Sequence, residues 1–159
     1  MQPIWKPTAR HPACGAKRGG GRLIGRTKGG MSIKLHAVTN TAGRPIRFFM
    51  TAGQVSEYTG AAALLAGLPK AEWLLGDRGY EADWFREALK DKGIKPCIPG
   101  RSSRGKPVKN DKRRYKRRSR IEIMFGRLKD WRRVATRYDR CPEVFLSAIA
   151  LAATVMFWL

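Results

Sequence analysis

Two carboxylates set in cationic surroundings are the residues of this chain best placed to do chemistry. Asp77 follows the apolar run Glu72 to Leu75 inside the pentapeptide GDRGY, residues 76 to 80. That puts it at the carboxyl end of an expected strand, where open α/β sheets place their reactive groups. Glu122 is the sole acid between Lys112 and Lys129 and lies among arginines on a stretch of helical periodicity. Taken alone, Glu122 serves equally well as a salt-bridge partner for Arg118. Taken with Asp77 it suggests more. Hard divalent cations, Mg2+ or Mn2+, bind carboxylate oxygens, and a pair of such ions activates both the attacking and the leaving oxygen of a phosphodiester.

The background charge points to the same substrate. The chain has 159 residues, about one domain by length, with 33 Lys plus Arg against 12 Asp plus Glu, a net charge of +21. A compact domain this basic repels itself unless a polyanion neutralises it, which favours nucleic acid, or an anionic membrane, over an acidic protein partner. Residues 101 to 140 carry 17 basic and four acidic side chains. Within them KRRYKRRSR sets like charges one helical turn apart, so an external polyanion is expected to compensate. Cys14, Cys97 and Cys141 are too scattered for a disulfide scaffold or a zinc knuckle and read as reduced thiols of a cytoplasmic protein. The amino end has no signal-peptide core. Val144 to Leu159 holds no charge but is 16 residues long, short of the roughly 20 a spanning helix needs. It is expected to be a terminal helix buried all round, without a membrane role.

These groups need a scaffold. Residues 1 to 30, basic, glycine-rich and without an acid, read as an irregular arm, and residues 31 to 159 as the folded domain. Ile33 to Thr39 and Pro45 to Thr51, joined by Asn40-Thr41-Ala42-Gly43-Arg44, form an antiparallel hairpin. A helix from about Ser56 to Leu68 is capped by Ser56. The strand of Glu72 to Leu75 leads through Asp77 to a helix over Glu81 to Lys92, ended by Gly93, and to a buried strand, Lys95 to Ile98. After a polar loop at 101 to 110, one long helix is predicted from about Lys112, its apolar face built from Tyr115, Ile121, Met124, Phe125, Leu128 and Trp131. The fold class is α/β, a mixed sheet covered by helices. His36 is a core or edge histidine rather than a ligand, and Trp73, Trp84, Trp131 and Trp158 are core anchors.

Tyr115, Arg118, Glu122 and Lys129 are separated by two, three and six residues. This signature resembles that of bacterial insertion-sequence DDE transposases. The blocks GRTKGGMSIKLHAV, RPIRFFMTAGQ, WLLGDRGYEADWF, IPGR and RRSRIEIMFGRLKDWRRVATRYDR follow in the order of that family's catalytic domain, over residues 18 to 159. The resemblance implies a ribonuclease H-like fold, DNA binding, recombination and transposition with Mg2+ or Mn2+ as cofactor, and no small-molecule cofactor. It implies DNA partners (transposon ends and target), a homodimer when complete, and cytoplasmic, nucleoid-associated action. Asp77 and Glu122 become the second and third acids of the metal-binding triad. Tyr115, Arg118 and Lys129 become contacts to the transposon end, with Arg117, Arg120, Arg132 and Arg133 as further phosphate contacts. On an ideal helix, positions 115, 118, 122 and 129 fall on nearly one face. A non-catalytic basic nucleic-acid-binding protein, or a decayed transposase fragment, is the alternative.

The family's first strand carries its first acid in a block like Ile-Asp-Ala-Thr-His, upstream of the glycine-rich loop. Residues 1 to 20 contain no acid, so the first strand and the first aspartate are expected to be missing and cleavage and strand transfer to be impaired. The codons suggest a cause. If a G precedes the start, ATG CA read one base earlier becomes GAT GCA, Asp-Ala, and residues 1 to about 17 become an out-of-frame reading of that block, with the frame regained near Lys17 or Arg18. Sequencing the gene is expected to show G before the start codon; any other base overturns this reading.

Overall fold

A computed structural model describes residues 4–5, 25–27, 30–102, 104–105, 108, 110–136, 139 and 141–159. The chain divides into two compact units, residues 1–55 with 120–159, and residues 56–119.

The first unit is built on a hairpin of β3 (Gly30–Thr39) and β4 (Pro45–Ala52), with Ile33 opposite Ala52 and His36 opposite Phe49. Asn40 fixes the turn: its side-chain oxygen accepts from the Ala42 and Arg44 amides at 3.0 and 2.9 Å. Gly43 takes the left-handed backbone that the turn requires, with φ 83°. Two short strands pair antiparallel with β3: β1 (Ile4–Trp5) and β2 (Gly25–Thr27). Within the segment expected to be an irregular arm these few residues are in strands, because the edges of a ten-residue strand offer backbone partners that a composition reading ignores. The rest of the arm, including Cys14, lies outside the described residues.

Ile33, Leu35 and Met50 of the hairpin form one core with Met124 and Leu128 of α4 (Ser119–Leu128), Val134 of α5 (Arg132–Thr136), and Phe145, Ile149, Ala152 and Ala153 of α6 (Pro142–Phe157). Pro142 opens α6 at its first turn, where its missing N–H has no partner to lose. Burial of α6 all round is not observed: Val144, Val155 and Trp158 are exposed and Leu151 is 59% exposed. A helix apolar on every side carries no phase to say which face meets the hairpin. The tryptophan expectation is corrected in the same way, since Trp84 and Trp158 are exposed. Trp158 is instead fastened by its Nε1–H to the Pro45 carbonyl at 2.9 Å, with Arg44 over its ring. Among the described residues no helix is long and apolar enough to cross a membrane.

The second unit holds α1 (Glu57–Leu65), β5 (Trp73–Leu75), α2 (Asp83–Asp91), β6 (Lys95–Cys97) and α3 (Lys112–Tyr115). Ser56 sits at the N-cap of α1 in extended backbone, without a side-chain cap bond. Strands β5 and β6 pair in parallel, so the described strands form two sheets rather than the expected single mixed one. Each three-residue strand uses its ladder on the other. Helix α2 buries Phe85, Arg86 and Leu89 and stops at Gly93, φ 72°. There the Gly93 and Ile94 amides donate to the Lys90 and Leu89 carbonyls, both at 2.8 Å, the double closure that a left-handed residue makes available.

The long helix expected from Lys112 is interrupted. Residues Lys112–Tyr115 are α-helical, Lys116–Arg118 form a 3₁₀ turn, and α4 begins at Ser119. Six cations within the seven residues 112 to 118 disfavour α geometry, which stacks side chains three and four apart, and the tighter turn alters their phase. Since α4 also ends at Leu128, one residue before Lys129, ideal-helix phase does not relate positions 115, 118, 122 and 129.

A buried ion network ties the second unit together. Glu81 is 6% exposed and Arg86 8%; the Arg86 Nη2 donates to the Ile98 carbonyl at 2.5 Å, and its Nε stands 3.9 Å from the Glu81 carboxylate. Arg104 reaches from the following loop to both Glu81 and Asp83. Removing one partner from a buried pair strands the other charge. Glu81→Leu is expected to cost about 3–5 kcal/mol of stability by urea denaturation. Asp83→Asn, whose carboxylate is largely in water, is expected to cost under about 1 kcal/mol.

His36 makes the first unit acid-sensitive. It is buried, hydrogen-bonded to Thr51 Oγ1 at 2.9 Å and stacked on Phe49. Burial, with Lys34 close by, brings its pKa down from 6.5 to about 4. The unfolded chain therefore binds the proton more readily than the fold does. Stability from neutral His36 is full above pH 6.5 and is lost as pH falls toward 4, by up to about 3 kcal/mol. Urea midpoints at pH 7 and pH 4.5 are expected to show this loss, and His36→Gln to shrink it; an equal loss in the variant refutes the assignment.

Candidate catalytic and nucleic-acid-binding residues

Asp77 sits where the sequence expects it, just beyond β5, and caps a 3₁₀ turn over Arg78–Tyr80. Its carboxylate accepts from the Arg78 amide at 2.6 Å, and its carbonyl accepts from the Tyr80 amide at 2.9 Å. Partial burial of the carboxyl works against its charge, whereas the Arg78 N–H and the positive charge of Arg118 work for it. Arg118 in turn lies over the Tyr115 ring, 5.4 Å from its centre. Three sequence-selected residues of the second unit are thus related: an aspartate, an arginine whose field reaches it, and a tyrosine supporting that arginine.

Gly79 of the same turn has a specific reason to be glycine. A Cβ there would fall on the Glu57 carboxylate, so the first acid of α1 packs directly against the backbone that follows Asp77. Glu57 escaped the sequence reading because it lies 22 residues earlier and has no motif of its own. No acid precedes it anywhere in the chain.

In the first unit Glu122 is exposed on α4, and Lys129 is exposed just past its end. Arg132 is exposed at the start of α5, as is Arg117 in the second unit. Two other expected phosphate contacts have partners within the chain. Arg120 donates to the Thr41 carbonyl, with its Cβ beside Gly43. Arg133 grips Asp139 through two bonds of 2.8 and 2.9 Å and holds that carboxyl below its ordinary pKa range. Each can still present positive charge, but neither guanidinium is wholly available to phosphate.

The carboxylates of Asp77 and Glu122 suit Mg2+ or Mn2+ in kind. Among the described residues no three His, Cys, Asp or Glu side chains gather as a metal site.

Comparisons with known proteins agree with the sequence blocks. The family model of the transposase DDE domain matches residues 9–157. A protein of Brucella ovis, named as a transposase for insertion sequence element IS6501, is 35% identical over 133 residues, 81% of this chain and 99% of that protein. One of Burkholderia cepacia, named for element IS402, is 26% identical over 136 residues, 79% of this chain and 62% of its own length. No solved structure gives a significant match. With a family model spanning nearly its whole length and a relative matched almost end to end, the chain belongs to the insertion-sequence transposases of the DDE type.

Proposed function

We propose that this chain acts in DNA transposition by holding insertion-sequence ends and target DNA through the basic residues between 112 and 133. The observation that carries the reading is that Arg120, Arg127, Lys129 and Arg132 are all exposed in the first unit, on the same short stretch of chain as exposed Glu122. Charge of this density binds phosphate by releasing counterions, with a steep salt dependence. Tyr115 and Arg118 add a ring and a guanidinium to the same task, with Arg120 and Arg133 contributing field more than direct bonds. Two copies would hold the two ends, in the cytoplasm at the nucleoid.

Cleavage and strand transfer would use Asp77 and Glu122 as ligands of Mg2+ or Mn2+, which when bound stabilises charge on the phosphoryl oxygens and activates the attacking oxygen. The acid-free stretch before Glu57 favours an impaired enzyme, and it also favours the second reading, a decayed transposase that still grips DNA.

Binding and nicking assays separate these. The chain is expected to bind duplex DNA with affinity falling about tenfold or more between 0.1 and 0.3 M salt, and to nick it no faster than background with Mg2+. A chain with the upstream frame and its aspartate restored is expected to nick, and Asp77→Asn or Glu122→Gln to abolish that. Nicking unaffected by both substitutions overturns the catalytic assignment; binding indifferent to salt overturns the electrostatic one.

A further inference from the structure

Helix α4 buries Met124 and Leu128 and turns a distinct surface outward. At 100° per residue, Gly126 falls near the centre of that outward face, with Ser119 and Ile123 along the same line. Glu122 borders this line on one side, Arg120 and Arg127 on the other, and Lys129 follows just past the end of the helix. All of these residues except the glycine carry side chains, and Ile123 is 61% exposed.

The glycine has no conformational reason to be there. The left-handed backbones belong to Gly43 and Gly93, whereas Gly126 is in helical backbone, where alanine is the better residue. It has no packing reason either, since a Cβ added to it meets nothing within 4 Å. The flanking arginines are drawn away from it: Arg120 to the Thr41 carbonyl, Arg127 to the Met156 carbonyl at 3.3 Å and over the Phe157 ring at 4.7 Å. The result is a bare patch of helix backbone, edged on one side by two arginines whose own contacts hold them off it.

We infer that Gly126 is a positioning residue that lets a DNA sugar-phosphate strand lie directly against α4, between Glu122 on one side and Arg120 with Arg127 on the other. This rests on the DNA-binding reading above and adds the place of closest approach. The absent side chain determines how near the strand comes to Glu122, and the exposed Ile123 offers it an apolar contact one turn away. Asp130, whose amide donates to the Arg127 carbonyl at 2.9 Å, bounds the patch with negative charge where the helix ends.

The test compares the full chain with Gly126→Ala and Gly126→Leu, and with Gly105→Ala as a control at another glycine whose Cβ would meet nothing. Fluorescence anisotropy with a labelled 30-base-pair duplex reads affinity across a salt series, and thermal melting reads stability. Gly126→Ala is expected to melt above the wild type yet bind at least about threefold more weakly, and Gly126→Leu to bind more weakly still. The salt slope should stay unchanged because no charge is lost, and the control should bind as the wild type does. Wild-type affinity in Gly126→Leu overturns the inference, as does an affinity loss that tracks a lowered melting temperature. Failure of the wild type itself to bind overturns the proposed function, and this inference with it.

Discussion

Scarcity of negative charge is the constraint on which the rest of this structure depends. With a net charge of +21, each carboxylate is a place where the chain can offset its own repulsion, and several are visibly committed to doing so. Glu81 serves Arg104 and buried Arg86, and Asp139 serves Arg133. Asp111 caps α3 through the Arg114 amide, and Glu72 takes the Trp73 indole N–H while facing Lys95. Asp77 and Glu122 differ from these in setting. One accepts from a backbone amide inside a tight turn after a strand; the other is held outward on a helix crowded with arginine.

The same constraint decides what the sequence could disclose. Local chemistry was legible wherever a few adjacent residues settle the outcome. Asn40 and Gly43 dictate the hairpin turn, Gly93 ends α2 because the double closure needs a left-handed residue, and Asp77 after WLL lies at a strand's end whatever the rest of the chain does. The tyrosine, arginine, glutamate and lysine spacing was legible as a family signature for a related reason, since it is short and ordered. What it could not convey is geometry. Periodicity across 112 to 131 reads as one helix because apolar residues recur correctly, but repulsion within KRRYKRR breaks the helical register at Lys116–Arg118. The bond from Arg104 to Glu81 spans 23 residues and two elements, and nothing in either neighbourhood announces the other. Helix α6 could be recognised but not oriented, since a segment apolar on all sides has no preferred face until the hairpin supplies one.

Binding and catalysis impose different demands on such a chain, and the two need not be lost together. Phosphate binding is additive over many cations, so pairing Arg133 with Asp139 or fixing Arg120 on Thr41 would lower it only by degrees. Metal-assisted cleavage requires a complete ligand set in one geometry, and loss of a single carboxylate removes most of its rate. A reading-frame change confined to the first 17 or so residues would therefore leave a protein that still folds the β3–β4 hairpin and still buries Phe145 against it.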